Sequence, residues 1–108
     1  MSEYTEYLRD VFVRLGPIDL RRMFGGHGVY HDGVMFALVV DETLYLQTDA
    51  GNVEDFEREG LPAFEYLRRG KVVRLSYRQA PEALFEDPEL AQEWACRSLQ
   101  AARRGRGA

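Results

Sequence analysis

An α+β fold, with a mostly antiparallel sheet and a helix from each end of the chain packed on it, follows from three observations on the sequence. Tyr4, Tyr7, Leu8, Val11, Phe12 and Leu15 recur at helical spacing near the start, and Leu90, Ala91, Trp94, Ala95, Leu99 and Ala102 do so near the end. Between Arg21 and Thr48 the apolar period drops to two. Asp32-Gly33, a two-residue hairpin signal, interrupts that stretch just before the apolar run Val34–Val40. Helices gathered on an antiparallel sheet are the packing that such an order of elements allows.

Each element carries its own start and stop. Ser2 caps the first helix, Glu3 and Glu6 suit the positive end of its dipole, and Gly16-Pro17 ends it. Gly28–His31, Val34–Val40 and Thr43–Thr48 read as three strands of a meander; in the last, Leu44 and Leu46 share one face and Tyr45 and Gln47 the other. Asp41-Glu42 makes the second reversal without the glycine such turns favour. Asn52 caps one short middle helix with Val53 and Phe56 inward, and Gly60 and Pro62 stop it. Phe64–Leu67 and Val72–Arg78 form a hairpin across Arg68-Arg69-Gly70-Lys71, with Val73, Leu75 and Tyr77 opposite the face of Arg74, Ser76 and Arg78. Pro81 opens a helical turn over Ala83-Leu84-Phe85, and Asp87-Pro88-Glu89 is a capped start for the last helix. Residues 1–103 are thus expected to form a single domain and 104–108 a basic disordered tail. The Val34–Val40 strand is apolar on both faces and needs cover on both. Either the middle helix and loops supply the second layer, or a second copy of the chain does so in a homodimer.

Composition removes several function classes. With 108 residues and 45% hydrophobic content the chain has enough material for one core. No apolar run approaches the roughly 20 residues of a membrane-spanning helix, and Met1-Ser2-Glu3-Tyr4 does not read as a secretory signal. Cys96 is the sole cysteine, which excludes an internal disulfide and points to the cytoplasm. The net charge of −4 is uneven: residues 1–60 hold 5 Lys/Arg against 12 Asp/Glu, a balance of −7, and residues 61–108 hold 9 against 6, a balance of +3. Polyanions are therefore unwelcome except in the second half.

Arg22-Met23-Phe24-Gly25-Gly26-His27-Gly28-Val29-Tyr30, followed by Asp32-Gly33-Val34-Met35-Phe36-Ala37-Leu38, resembles the signature of the TfoX/Sxy N-terminal domain family. The resemblance continues through Leu44-Tyr45-Leu46, Asn52 with Asp55-Phe56, Gly60-Leu61-Pro62-Ala63-Phe64, Ser76-Tyr77, Pro81-Glu82 and Trp94-Ala95. It implies an N-terminal domain standing alone, without the helical C-terminal domain of competence regulators. It also implies a non-enzymatic role in transcriptional regulation, through contacts with a transcription factor or polymerase-associated protein such as the cyclic-AMP receptor protein. Within the signature, Arg22, Met23, Phe24, Gly25, Gly26 and Gly28 are expected to be structural.

The residues themselves offer little chemistry. Gly25-Gly26-His27-Gly28 misses the dinucleotide fingerprint, because the third glycine would fall at His31, and it opens a strand rather than a helix. His27 and His31 lie roughly 13 Å apart on an extended strand, too far to share an ion without a fold-back. Ser76 has no nucleophile-elbow context, and no carboxylate pair is isolated in apolar surroundings. No catalytic residue, metal or cofactor is expected. The basic hairpin, with Arg68, Arg69, Lys71, Arg74 and Arg78, is the binding candidate; its guanidinium forks suit partner carboxylates or, in the alternative reading of a DNA-binding domain that uses hairpin 68–78 with the C-terminal tail, DNA phosphates, and the same residues also suit a solvated sheet face. If this face binds, reversing Arg74 and Arg78 to Glu abolishes the association, as a titration would record.

Overall fold

The computed structural model describes residues 3–23 and 25–105. Among these, six strands form one antiparallel sheet in the order β1-β2-β3-β4-β6-β5. The strands are β1 (Asp19–Met23), β2 (Gly26–His31), β3 (Val34–Val40), β4 (Thr43–Gln47), β5 (Ala63–Arg68) and β6 (Lys71–Gln79). The helices are α1 (Glu3–Val11), α2 (Val53–Arg58) and α3 (Pro88–Gly105), with a 3-10 turn at Glu82–Glu86. The expected α+β class is observed, and the meander gains a fourth strand, β1. Its sequence, Asp19-Leu20-Arg21-Arg22-Met23, lacks the apolar alternation of a buried strand, because an edge strand with mostly exposed side chains does not need it.

The hairpin turns follow one rule. Asp32-Gly33, Asp41-Glu42 and Arg69-Gly70 each join two strands with both φ angles positive: 50° and 75°, 51° and 55°, 52° and 79°. Such two-residue turns match the right-handed twist of the strands they join. Asp41-Glu42 takes the same geometry without glycine, against the steric preference of L-residues.

The core lies on one side of the sheet, under all three helices. Phe12, just after α1, meets Phe36 of β3 edge-on at 5.3 Å, and Phe56 of α2 meets Trp94 of α3 edge-on at 4.8 Å. Val29, Leu44 and Leu46 join them with Leu8, Ala91, Ala95 and Leu99. Each large side chain buried here contributes about 1.5–3 kcal/mol. A bulge at Phe36 arranges the β3 contribution: Tyr30 pairs with Met35, but its neighbour Val29 pairs with Ala37. The residue between them is extra, so Val34, Phe36, Ala37 and Val39 all reach the same core, and only Met35, Leu38 and Val40 turn to the other side. No described helix is long and apolar enough to cross a membrane.

Several boundaries differ from the sequence-based expectation. The first helix ends at Val11 and continues as turns through Leu15; its expected cap, Ser2, lies outside the described residues. Asn52 does not cap α2. Its buried amide works backwards, accepting from the Asp49 N–H at 2.8 Å and donating to the Gln47 carbonyl at 3.1 Å. The Asp87 carboxylate does cap α3, accepting from the Glu89 and Leu90 N–H groups, both at 3.1 Å. The expected tail at 104–108 is corrected for Arg104 and Gly105, which belong to α3; residues 106–108 lie outside the described residues. Arg104 is helical because it has a partner: it donates to both carboxylate oxygens of Asp49, at 2.6 and 2.8 Å, pinning the end of α3 to the β4–α2 loop. That contact, helped by the Gly51 N–H, holds the Asp49 carboxyl below its ordinary value of 3.8.

Two expected outcomes follow from this packing. A Cβ on Gly26 would lie 1.9 Å from the carbonyl oxygen of Val39, a backbone atom that cannot swing aside. Gly26→Ala should therefore cost about 3 kcal/mol and lower Tm by roughly 10 °C or more in thermal unfolding. Because Asp49 titrates below 3.8 in the fold, its contribution is present above that pH and is lost as pH falls through the folded value. Urea unfolding at pH 7 should find Asp49→Asn less stable than the parent, and the gap should close below pH 3.8.

Candidate interaction surface

Three surface features emerge once the sheet is assembled. The first is the β5–β6 hairpin. β4 pairs with β6 along Tyr77, Arg78 and Gln79, with further bonds from the Thr48 N–H to the Ser76 carbonyl and from the Ala80 N–H to the Leu44 carbonyl. Residues 65–75 therefore continue past β4 as a two-stranded ribbon, with Glu65 opposite Arg74, Leu67 opposite Val72 and Arg68 opposite Lys71. Leu67 and Val72 are 73% and 64% exposed, unusual values for such side chains.

The five cations of this hairpin do not form one surface. Arg74 donates twice to Glu65, at 2.9 and 2.6 Å. Arg78 donates to the Leu61 carbonyl at 3.0 Å and lies 3.5 Å from Glu57 on α2. It stands opposite Leu46, a core residue, and so lies on the helix side of the sheet, whereas Arg74, farther out on the ribbon, is exposed. Arg68, Arg69 and Lys71 are exposed at the ribbon tip, and Arg74 is exposed but paired with Glu65.

The second feature is the face of the sheet away from the helices. Phe64 packs on Tyr45 at 4.9 Å and on Tyr66 at 6.0 Å between centroids. At the other end the Arg21 guanidinium sits 4.4 Å above the Tyr30 ring. Burial, reinforced by Tyr30, pushes the Tyr77 hydroxyl up to about 12. A Cβ on Gly28 would meet Met23 Sδ at 2.7 Å, with Tyr30 and Met35 next, so glycine there lets these side chains lie across the strand. Leu38, opposite Gly28 and Tyr45, is fully buried on this face, although no described helix covers it. Tyr30, Met35, Tyr45, Tyr66 and Tyr77 remain half-buried. The second layer expected over β3 is thus made by its neighbours' aromatic side chains.

The third feature had no signal in the order of residues. Tyr4 and Tyr7 of α1, Glu42 of the β3–β4 turn, and Glu82, Phe85 and Glu86 of the 3-10 turn line a groove of ≈ 580 Å³. The three rings stand 6.1 to 6.5 Å from one another, and Tyr7 donates its hydroxyl to the Phe85 carbonyl at 3.2 Å. Burial first, then Tyr7 and Glu42, push the Tyr4 hydroxyl up to about 12. The spacings Tyr4–Tyr7 and Glu82–Glu86 hint at shared helical faces, but only tertiary structure brings the two segments and Glu42 together.

Residues 10–102 match the TfoX N-terminal domain. The chain belongs to that family. It is also 31% identical over 86 residues, 80% of its length, to the DNA transformation protein TfoX1 of Aliivibrio fischeri (strain ATCC 700601 / ES114), and the match spans 41% of that protein. Arg22 is exposed on β1, and Met23 lies beside Gly28. Gly25 takes a φ of 75°, and Gly26 allows the close approach to Val39. Phe24 lies outside the described residues. His31 donates through Nδ1 to the Pro17 carbonyl at 2.8 Å, tying β2 to the α1–β1 connection. Cys96 is exposed on α3, and among the described residues no three His, Cys, Asp or Glu side chains gather as metal ligands.

Proposed function

We propose that this TfoX N-terminal domain is a non-enzymatic, cytoplasmic interaction module in competence-type transcriptional regulation, and that it docks a regulatory protein on the helix-free face of its sheet. The observation that carries this reading is the aromatic surface of Tyr30, Tyr45, Phe64, Tyr66 and Tyr77, with Met23 and Met35 beside it and Arg21 at its margin. Tyrosine, phenylalanine, methionine and arginine are the residues that protein interfaces concentrate. Rigid rings already packed on one another lose little freedom when a partner covers them. The family's association with DNA transformation supports a place in gene control, and the single cysteine suits a reducing compartment. Duplex DNA fits this surface less well: the chain carries −4 overall, and Arg74 and Arg78 are occupied within the domain.

Calorimetric titration with purified cyclic-AMP receptor protein tests the proposal. Tyr45→Ala and Tyr66→Ala, each confirmed folded by circular dichroism, should weaken binding by about 10-fold or more. No binding to the receptor rejects that partner. Binding indifferent to both substitutions, or confined to duplex DNA and falling steeply with salt, rejects the docking face.

A further inference from the structure

We propose that the ribbon tip of one copy of this chain docks in the acidic aromatic groove of a second copy. The tip and the groove are chemical complements. Arg68, Arg69 and Lys71 surround the exposed pair Leu67 and Val72, two of the four large apolar side chains exposed among the described residues. Glu42, Glu82 and Glu86 surround the rings of Tyr4, Tyr7 and Phe85. Three cations thus face three carboxylates, and an aliphatic pair faces three rings that offer both contact area and cation–π stabilisation.

Within one copy the two cannot meet. The tip precedes β6 and the 3-10 turn follows it, so the nine residues of β6 separate them by about 27 Å of extended chain. A second copy removes that distance. It also buries Leu67 and Val72, which the domain itself leaves in water. A DNA major groove admits a two-stranded ribbon, but its apolar counterpart for these side chains is limited to thymine methyl groups. Because two different patches meet, the contact is either made twice about a two-fold axis or continued head to tail. The inference is independent of the partner-docking face, which uses other residues.

Light scattering over a concentration series at low salt should show the mass rising above 12.4 kDa, and added salt should reverse the rise. Arg68→Glu with Lys71→Glu makes tip and groove both negative; Glu82→Lys with Glu86→Lys makes both positive. Each doubly substituted chain should remain monomeric at concentrations about 10-fold above those at which the parent associates. An equimolar mixture of the two should associate, because every tip then meets a groove of opposite sign. A parent monomeric at every concentration, association that survives either reversal, or a mixture that stays monomeric would overturn the proposal. So would salt-sensitive binding of duplex DNA by the parent without self-association.

Discussion

The slip of one residue between β2 and β3 at Phe36 determines how the rest of the domain is layered. Without it, Val34, Phe36, Leu38 and Val40 would share one face, and Ala37 and Val39 would face away from the helices. With it, Phe36 and Ala37 both enter the core, where Phe36 receives Phe12. The helices can then gather on one side, because four of the seven side chains of the central strand, Phe36 among them, point there. Bulges also sharpen strand twist, which suits a sheet that carries its helices on one face only.

Putting the helices together leaves the other side to be closed by side chains alone. Gly28 has no side chain, so Met23, Tyr30 and Met35 can lie across it, and Leu38 is fully buried without a covering helix. Gly26 acts through backbone rather than side chains, since the Val39 carbonyl occupies the space a Cβ would need. The family signature around Gly25–Gly28 thus reads as a packing device for a two-faced sheet. Its tyrosines and methionines end up half-buried on the helix-free face.

Charge is placed with the same economy. Arg74, Arg78 and Arg104 pair with Glu65, Glu57 and Asp49, each holding one element against another. Exposed pairs of this kind contribute little individually, typically below about 1 kcal/mol, so they orient segments more than they stabilise the fold. Further exposed cations stand at the ribbon tip, and the carboxylates around the 3-10 groove sit at the far end of β6. The molecule is therefore polar along that strand.

Much of this architecture was legible along the chain because it depends on neighbours in sequence. The helical stripes of α1 and α3, the Asp32-Gly33 and Arg69-Gly70 turns, the Asp87 cap and the stop at Gly60 each need only a few consecutive residues to act. β1 leaves no trace in the sequence because an edge strand needs no apolar alternation, and Asn52 reads as a cap because a helix cap and a loop clamp use the same amide. The basic hairpin was recognisable, but sequence could not divide its cations, since Glu57 meets Arg78 only after α2 packs. Nor could it reveal the bulge at Phe36, which exists only as a mismatch between two strands, or the groove shared by α1, Glu42 and the 3-10 turn. Local conformation is set by nearest neighbours and chain stiffness; register, pairing of charges and surface shape are set by which distant segments come into contact.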